Sequence, residues 1–169
     1  MQNYHRHSSY SNIYIADSAV MNEDYAKRAV EVGHKIISSV EHGWQGYYYQ
    51  TFELAKKYNL KFVFGAEAYW VKDRAEKDKT NCHIIILAKN ENGRRAINEV
   101  LSEANETGYY FRPRLDLDLL LSLPPKDVFV TTACIAFWKY DDIEEIVLKL
   151  KEHFQNNLML EIQYHNTPQ

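Results

Sequence analysis

The sequence has no surplus of positive charge, no long apolar run and almost no cysteine, and each shortage removes a class of protein. Its 169 residues carry 20 Lys and Arg against 23 Asp and Glu, a formal net charge of −3. That excludes a chain that coats nucleic acid by bulk charge, although a local basic groove stays open. No apolar run approaches the ~18 residues a membrane-spanning helix needs, so no membrane partner is expected. The segment from Met1 to Ser11 is polar and lacks the apolar centre of an export signal, so a cytoplasmic location is expected. The two cysteines, Cys82 and Cys134, lie far apart and outside any CxxC spacing. Without export they are expected as reduced thiols, not as a disulfide. Internal repeats, low-complexity tracts and linkers are also missing, and one domain over residues 1–169 is expected.

What is present is an ordinary globular composition, 46% hydrophobic and 25% charged. Short apolar runs alternate with longer amphipathic ones. Strands are expected at Asn3–Ser8, Lys35–Val40, Phe62–Ala68, His83–Ala88, Val128–Thr132 and Leu158–Gln163. Helices are expected from an Asn22 cap to Gly33, over Tyr47–Tyr58, from an Asn92 cap to about Asn105, over Leu115–Ser122, and over Asp141–His153. Strand and helix alternate about six times, which predicts an α/β fold built on a mostly parallel sheet, open or closed into a barrel.

In such folds ligands bind at the carboxyl ends of the strands, and there the sequence concentrates metal-ligand chemistry. The stretch Tyr4-His5-Arg6-His7-Ser8 lies at the first strand. In an extended chain side chains at i and i+2 leave on one face, so His5 and His7 point together and Arg6 points away. Two neutral imidazoles so placed can grip one metal ion. Asp17 follows on the next loop. Glu41-His42-Gly43 ends the second strand. Glu67, in Gly65-Ala66-Glu67, ends the third, where a carboxylate among apolar residues is costly unless paired or metal-bound. His83 opens the fourth strand, and Cys134 follows the fifth. His34 and His153 fall on helices and are expected to be surface residues.

This ordered set resembles the PHP (polymerase and histidinol phosphatase) family. Three further stretches bring it nearest to the PHP module at the N-terminus of bacterial DNA polymerase III alpha subunits. They are Cys82-His83-Ile84-Ile85-Ile86-Leu87-Ala88-Lys89-Asn90, Phe111-Arg112-Pro113-Arg114 before an acidic-leucine helix, and Leu160-Glu161-Ile162-Gln163-Tyr164-His165. The resemblance implies a distorted (β/α)7-type barrel with up to three metal ions at the strand ends. By that pattern His5 and His7 hold a first metal, bridged through Glu67 to a second that His83 and Cys134 complete, and Asp17 and His42 hold a third. The family's late Asp-x-His motif is absent. The chain therefore reads as a barrel lacking its last strand, an N-terminal fragment or a shortened module. Phe137 stands where the family commonly has glycine.

Imidazole and thiolate donors favour zinc, manganese or iron over magnesium. Clustered metals acidify a shared water and hold a phosphoryl oxygen, which is phosphoesterase chemistry. Glu41 is placed beside His42 to orient or protonate a leaving group. Arg112 and Arg114 are candidates for a phosphate or DNA contact, against a simpler reading as packing and surface salt bridges. The charge-alternating run Lys72–Lys79 reads as a solvated loop. The resemblance implies DNA and other replisome subunits as partners through a longer polymerase chain, and a possible 3′–5′ exonuclease activity. Two alternatives stand beside it, a non-catalytic metal-binding module of the same polymerase and a free-standing histidinol-phosphatase-like enzyme.

Overall fold

Period-two alternation in the central strands decides which side chains meet the helices and which meet the site. The computed structural model describes residues 2–14, 16 and 18–164. Strand β2 (Lys61–Trp70) lies at the centre and pairs along one edge with β3 (Cys82–Ala88). Its even residues, Phe64, Ala66, Ala68 and Trp70, are buried together with Ile84 and Ile86 of β3. They pack under helices α3 (Glu91–Thr107), α4 (Leu117–Leu121) and α5 (Ile143–Phe154) through residues such as Ile97, Leu120 and Leu150. Each fully buried Ile or Leu there contributes about 1.5–3 kcal/mol. The odd residues, Glu67 and Tyr69, fall on the opposite face, where Ile85 and His83 stand directly across from them.

Strand β1 (Ile36–Ser39) pairs parallel with the first half of β2. Its line runs on through the loop, where Glu67 N–H bonds Glu41 O and Gly43 N–H bonds Glu67 O. Beyond that point β4 (Arg114–Leu115) takes over the same edge of β2. On the far side β3 pairs antiparallel with β5 (Val128–Thr131), which pairs parallel with β6 (Leu158–Met159). These registers make β1, β2, β4, β5 and β6 run one way and β3 alone the other. The expected mostly parallel α/β sheet is therefore what forms. The reversal of β3 also explains why a histidine that opens its strand lies level with residues that end theirs.

Several local expectations are corrected. Asn3–Ser8 is extended but enters no ladder. The Ser38 carbonyl accepts instead from the Arg6 side chain, and Ser38 Oγ donates to Tyr4 O. The segment is thus held between β1 and the chain beyond β6 by side chains, bridging the two edges of the sheet. Helix α1 (Asn22–Glu31) is preceded by Met21, and Asn22 is buried with its amide oxygen bonded to Arg6, not capping. His34 falls past the helix, where its N–H and that of Gly33 close the last turn on Ala29 and Val30. Helix α2 covers Tyr48–Lys57. Helix α3 is capped by Asn90, not Asn92, through Gly93 N–H. Leu115 belongs to β4, and Asp116 caps α4. His153 on α5 is half-buried, with a ring nitrogen at 3.0 Å from Leu123 O. Phe137 is fully buried and meets Trp70 edge-on at 5.7 Å, so its ring fills core space.

Candidate metal centre

Glu67 is nearly inaccessible, and its two oxygens are each shared by two imidazoles. Oε1 lies 3.3 Å from His5 Nε2 and 3.3 Å from His83 Nδ1, and Oε2 lies 3.1 Å from His7 Nε2 and 2.6 Å from His42 Nδ1. Four different stretches deliver them: the N-terminal segment, the loop after β1, the middle of β2 and the start of β3. Among the described residues, two sets bring ligand atoms within 4.8 Å of one another: His5, His7 and Glu67, and His42, Glu67 and His83. Glu67 is common to both. Burial by itself would raise its carboxyl, but the surrounding imidazoles reverse that and hold it far below the ordinary range. Burial likewise opposes the charge on His5 and His83, yet His5 is raised to about 9 by Glu161 and Glu67, and His83 to about 9 by Cys134 and Glu67.

The outer ring nitrogens of His5 and His7 are spoken for. His5 Nδ1 sits 2.7 Å from Glu161 Oε1. His7 Nδ1 sits 2.9 Å from Ser11 Oγ, which donates to Glu41 Oε2 and accepts from His42 N–H. Since the Ser11 proton goes to Glu41, the His7 Nδ1 is the donor, and in a neutral ring that puts the electron pair on Nε2. The Nε2 atoms of His5 and His7 therefore face each other at 3.2 Å beside a carboxylate. Two nitrogens ligating one tetrahedral zinc at ~2.05 Å would stand about 3.3 Å apart. The donor set, its geometry and its charge fit a divalent cation.

Other candidates fall into place around this centre. Cys134 is half-buried and hydrogen-bonded to His83, outside the two tight sets; burial would raise its thiol, but His83 brings it below the ordinary value. His42 stacks on the His7 ring at 4.0 Å and groups with Glu67 and His83. Asp17, its expected companion, lies outside the described residues. Glu41 is buried, and its oxygens accept from Ser8 N–H, Ser8 Oγ and Ser11 Oγ. Gly43 follows His42 with φ of +71°, and a Cβ there would stand 2.7 Å from the Tyr69 ring, so only glycine fits.

The two arginines divide. Arg112 lies with its guanidinium 4.8 Å from the Tyr69 ring, which in turn meets His83 at 5.1 Å. Arg114 is buried and donates to the carbonyls of Gly108, Glu76, Asp78 and Arg74. Its donors are committed to pinning the charged loop, which corrects the expectation of a phosphate contact for Arg114 and favours the packing alternative. Glu161 and Ser11 escaped the reading of the sequence. Glu161 carried the same signal as Glu67, a lone carboxylate between apolar residues, but its partner is 156 residues away.

An α/β sheet beside which four histidines converge on one buried carboxylate has the ligand groups of a metal-binding module. The family is then shown by comparison. The PHP domain model matches residues 3–165, and the chain belongs to that family. Curated relatives are the DNA polymerase III subunit alpha of Aquifex aeolicus, 29% identical over 184 residues, and that of Borreliella burgdorferi, 30% identical over 175 residues. The alignments cover 98% and 95% of this chain but only 16% and 15% of those proteins. Among solved structures, a Bifidobacterium adolescentis protein described provisionally as a metal-dependent phosphoesterase aligns with 59% of this chain and 32% of its own, at 16% identity and a TM-score of 0.42. That likeness bears no weight here.

Proposed function

We propose that this chain is a metal-dependent phosphoesterase module, of the kind borne by replicative polymerase alpha subunits, acting on phosphodiester or phosphomonoester ends. The observation that carries the reading is the sharing of Glu67 between two histidine pairs. His5, His7 and Glu67 would hold one divalent ion, and His42, Glu67 and His83, with Cys134 close by, a second; Asp17 and His42 remain candidates for a third. Bound zinc, manganese or iron would supply Lewis acidity toward a phosphoryl oxygen and an acidified water. The chain's own residues supply the rest. Glu67 would be shared by the two ion sites. Glu41 sets the position of the histidine segment through Ser8 and Ser11, a positioning task in place of leaving-group protonation. Arg112, beside Tyr69, offers a cation toward the substrate's negative charge. A DNA 3′ end is the substrate proposed, with replisome subunits as partners and the cytoplasm as location. Among the described residues no helix is long and apolar enough to cross a membrane.

The test is hydrolysis of a single-stranded oligonucleotide 3′ end and of a model phosphate ester. Activity should require added metal, vanish with chelator, and fall in Glu67→Ala by more than the ~10–100-fold typical of outer-shell losses. Hydrolysis that persists in chelator would reject the reading. A second reading has its own support: residues 2–8 lack a ladder, and their ties to the rest of the chain include those of His5 and His7 to Glu67 and of Ser8 to Glu41. Metal would then brace the fold without chemistry, and the same assay separates the two, since bound metal without hydrolysis selects the brace.

A further inference from the structure

We infer that Glu161 is the positioning residue of His5, and that through His5 it sets the affinity of the His5, His7 and Glu67 group for a divalent cation. The inference rests on the metal reading above and deepens it. Glu161 follows β6, at the far end of the chain from His5, and its carboxylate is held from several sides. Oε1 meets His5 Nδ1 at 2.7 Å and accepts from Gln163 Nε2 at 2.7 Å. Oε2 accepts from Tyr4 Oη at 3.0 Å and from Thr131 Oγ1 at 3.2 Å. Its backbone N–H donates to Thr132 Oγ1 at 3.1 Å. With its oxygens so engaged, Glu161 lies outside both tight ligand sets and acts on the cation through the imidazole.

A neutral imidazole can carry its proton on either nitrogen, and only the Nδ1–H form offers Nε2 to the Glu67 side. A carboxylate on Nδ1 selects that form, fixes the ring plane and makes Nε2 a stronger donor. His7 receives the same service from Ser11 backed by Glu41. The two facing nitrogens are thus each oriented from behind, one by the early loop at Ser11 and one by the segment beyond β6. Seating of that segment on Thr131 and Thr132 becomes a condition for full metal affinity.

The experiment uses the full chain as wild type, E161A and E161Q. Zinc affinity is read by competition with a chromophoric chelator, and the His5 ring nitrogens by ¹⁵N-histidine NMR of the zinc-loaded protein. E161A should weaken one site about 10–100-fold, leave the other unchanged, and remove the hydrogen-bonded Nδ1–H signal of His5. E161Q keeps an acceptor and the shape without the charge, so it should keep that signal and lose only a fraction of the affinity. Wild-type zinc affinity in E161A overturns the inference, as does coordination of His5 through Nδ1. If E161A fails to fold, unchanged zinc affinity in E161Q overturns it instead. A wild type that takes up no zinc, manganese or iron sinks the metal reading itself, and this inference with it.

Discussion

Both oxygens of Glu67 face imidazole nitrogens, and that arrangement has consequences for single side chains. In the metal-free chain His5 and His83 are raised to about 9 from an ordinary 6.5. Below about pH 6.5 they are protonated whether folded or not, and their contribution to stability is complete. Between about 6.5 and 9 the unfolded chain loses those protons first, so stability falls as pH rises. Glu67 works at the acid end: its carboxyl is held low, so its contribution is present above 4.5 and lost as pH falls below that. Metal-free protein should therefore melt at lower temperature at pH 9 than at pH 6.5. Metal affinity should rise over the same window, because ligation displaces the protons. A melting temperature that is flat across it would contradict the assignment. The arginines give a second contrast. Arg114→Ala strands four carbonyl partners and should lower stability by about 2–4 kcal/mol, whereas Arg112→Ala should leave melting nearly unchanged and weaken substrate binding. Equal melting losses would erase the distinction. Much of this was legible: the pairing of His5 with His7 and the oddity of Glu67 are local signals. The fate of Arg114 was not, because its partners are backbone oxygens brought close only by the folded loop.

The strands show which parts of a fold a linear pattern can carry. The run Ile84-Ile85-Ile86 declares a buried strand, and all three side chains are fully buried. Nothing local declares that β3 runs against its neighbours, since direction is decided by the 71–81 connection and by pairing partners. Likewise Asn92 was the expected cap, but Asn90 is the extended residue before the first helical turn and Asn92 falls inside it. Asn90→Ala should cost about 1 kcal/mol in denaturant unfolding, and Asn92→Ala much less. The alternation of His5 and His7 was read correctly while the ladder expected around them is missing, because Arg6 occupies the Ser38 carbonyl. Gly65 matters for packing. A Cβ there would stand 2.6 Å from Leu87 Cδ2 and 2.7 Å from Ile86 O, the latter backbone that cannot swing aside. Gly65→Ala should destabilise by about 1–3 kcal/mol and displace Glu67 two residues on, so metal affinity should fall with stability. Wild-type metal affinity in a destabilised Gly65→Ala would show that Glu67 tolerates the shift.

At the scale of the whole molecule, the candidate metal centre draws on regions far apart in the sequence. The N-terminal segment, the β1 loop, two central strands and the chain beyond β6 all contribute to it. A cation at a hundredfold excess over its dissociation constant would add about 2.7 kcal/mol to folding, which for a chain of this size raises the melting temperature by roughly 5–10 °C. That rise should disappear in Glu67→Ala. The family pattern was visible because its ligands are polar breaks in short apolar stretches, although Glu67 lies inside β2 and does not end it as expected, and His5 and His7 lie on no strand. The coupling of the two chain ends through Glu161 was not, because no spacing in a sequence records a contact between its extremes. The most direct test of the account is elemental analysis of the purified chain and of Glu67→Ala after supplementation with zinc, manganese or iron. The account predicts more than one ion per wild-type chain and loss of most of that metal in Glu67→Ala. A wild-type chain without metal, or a Glu67→Ala chain that keeps it, would contradict it.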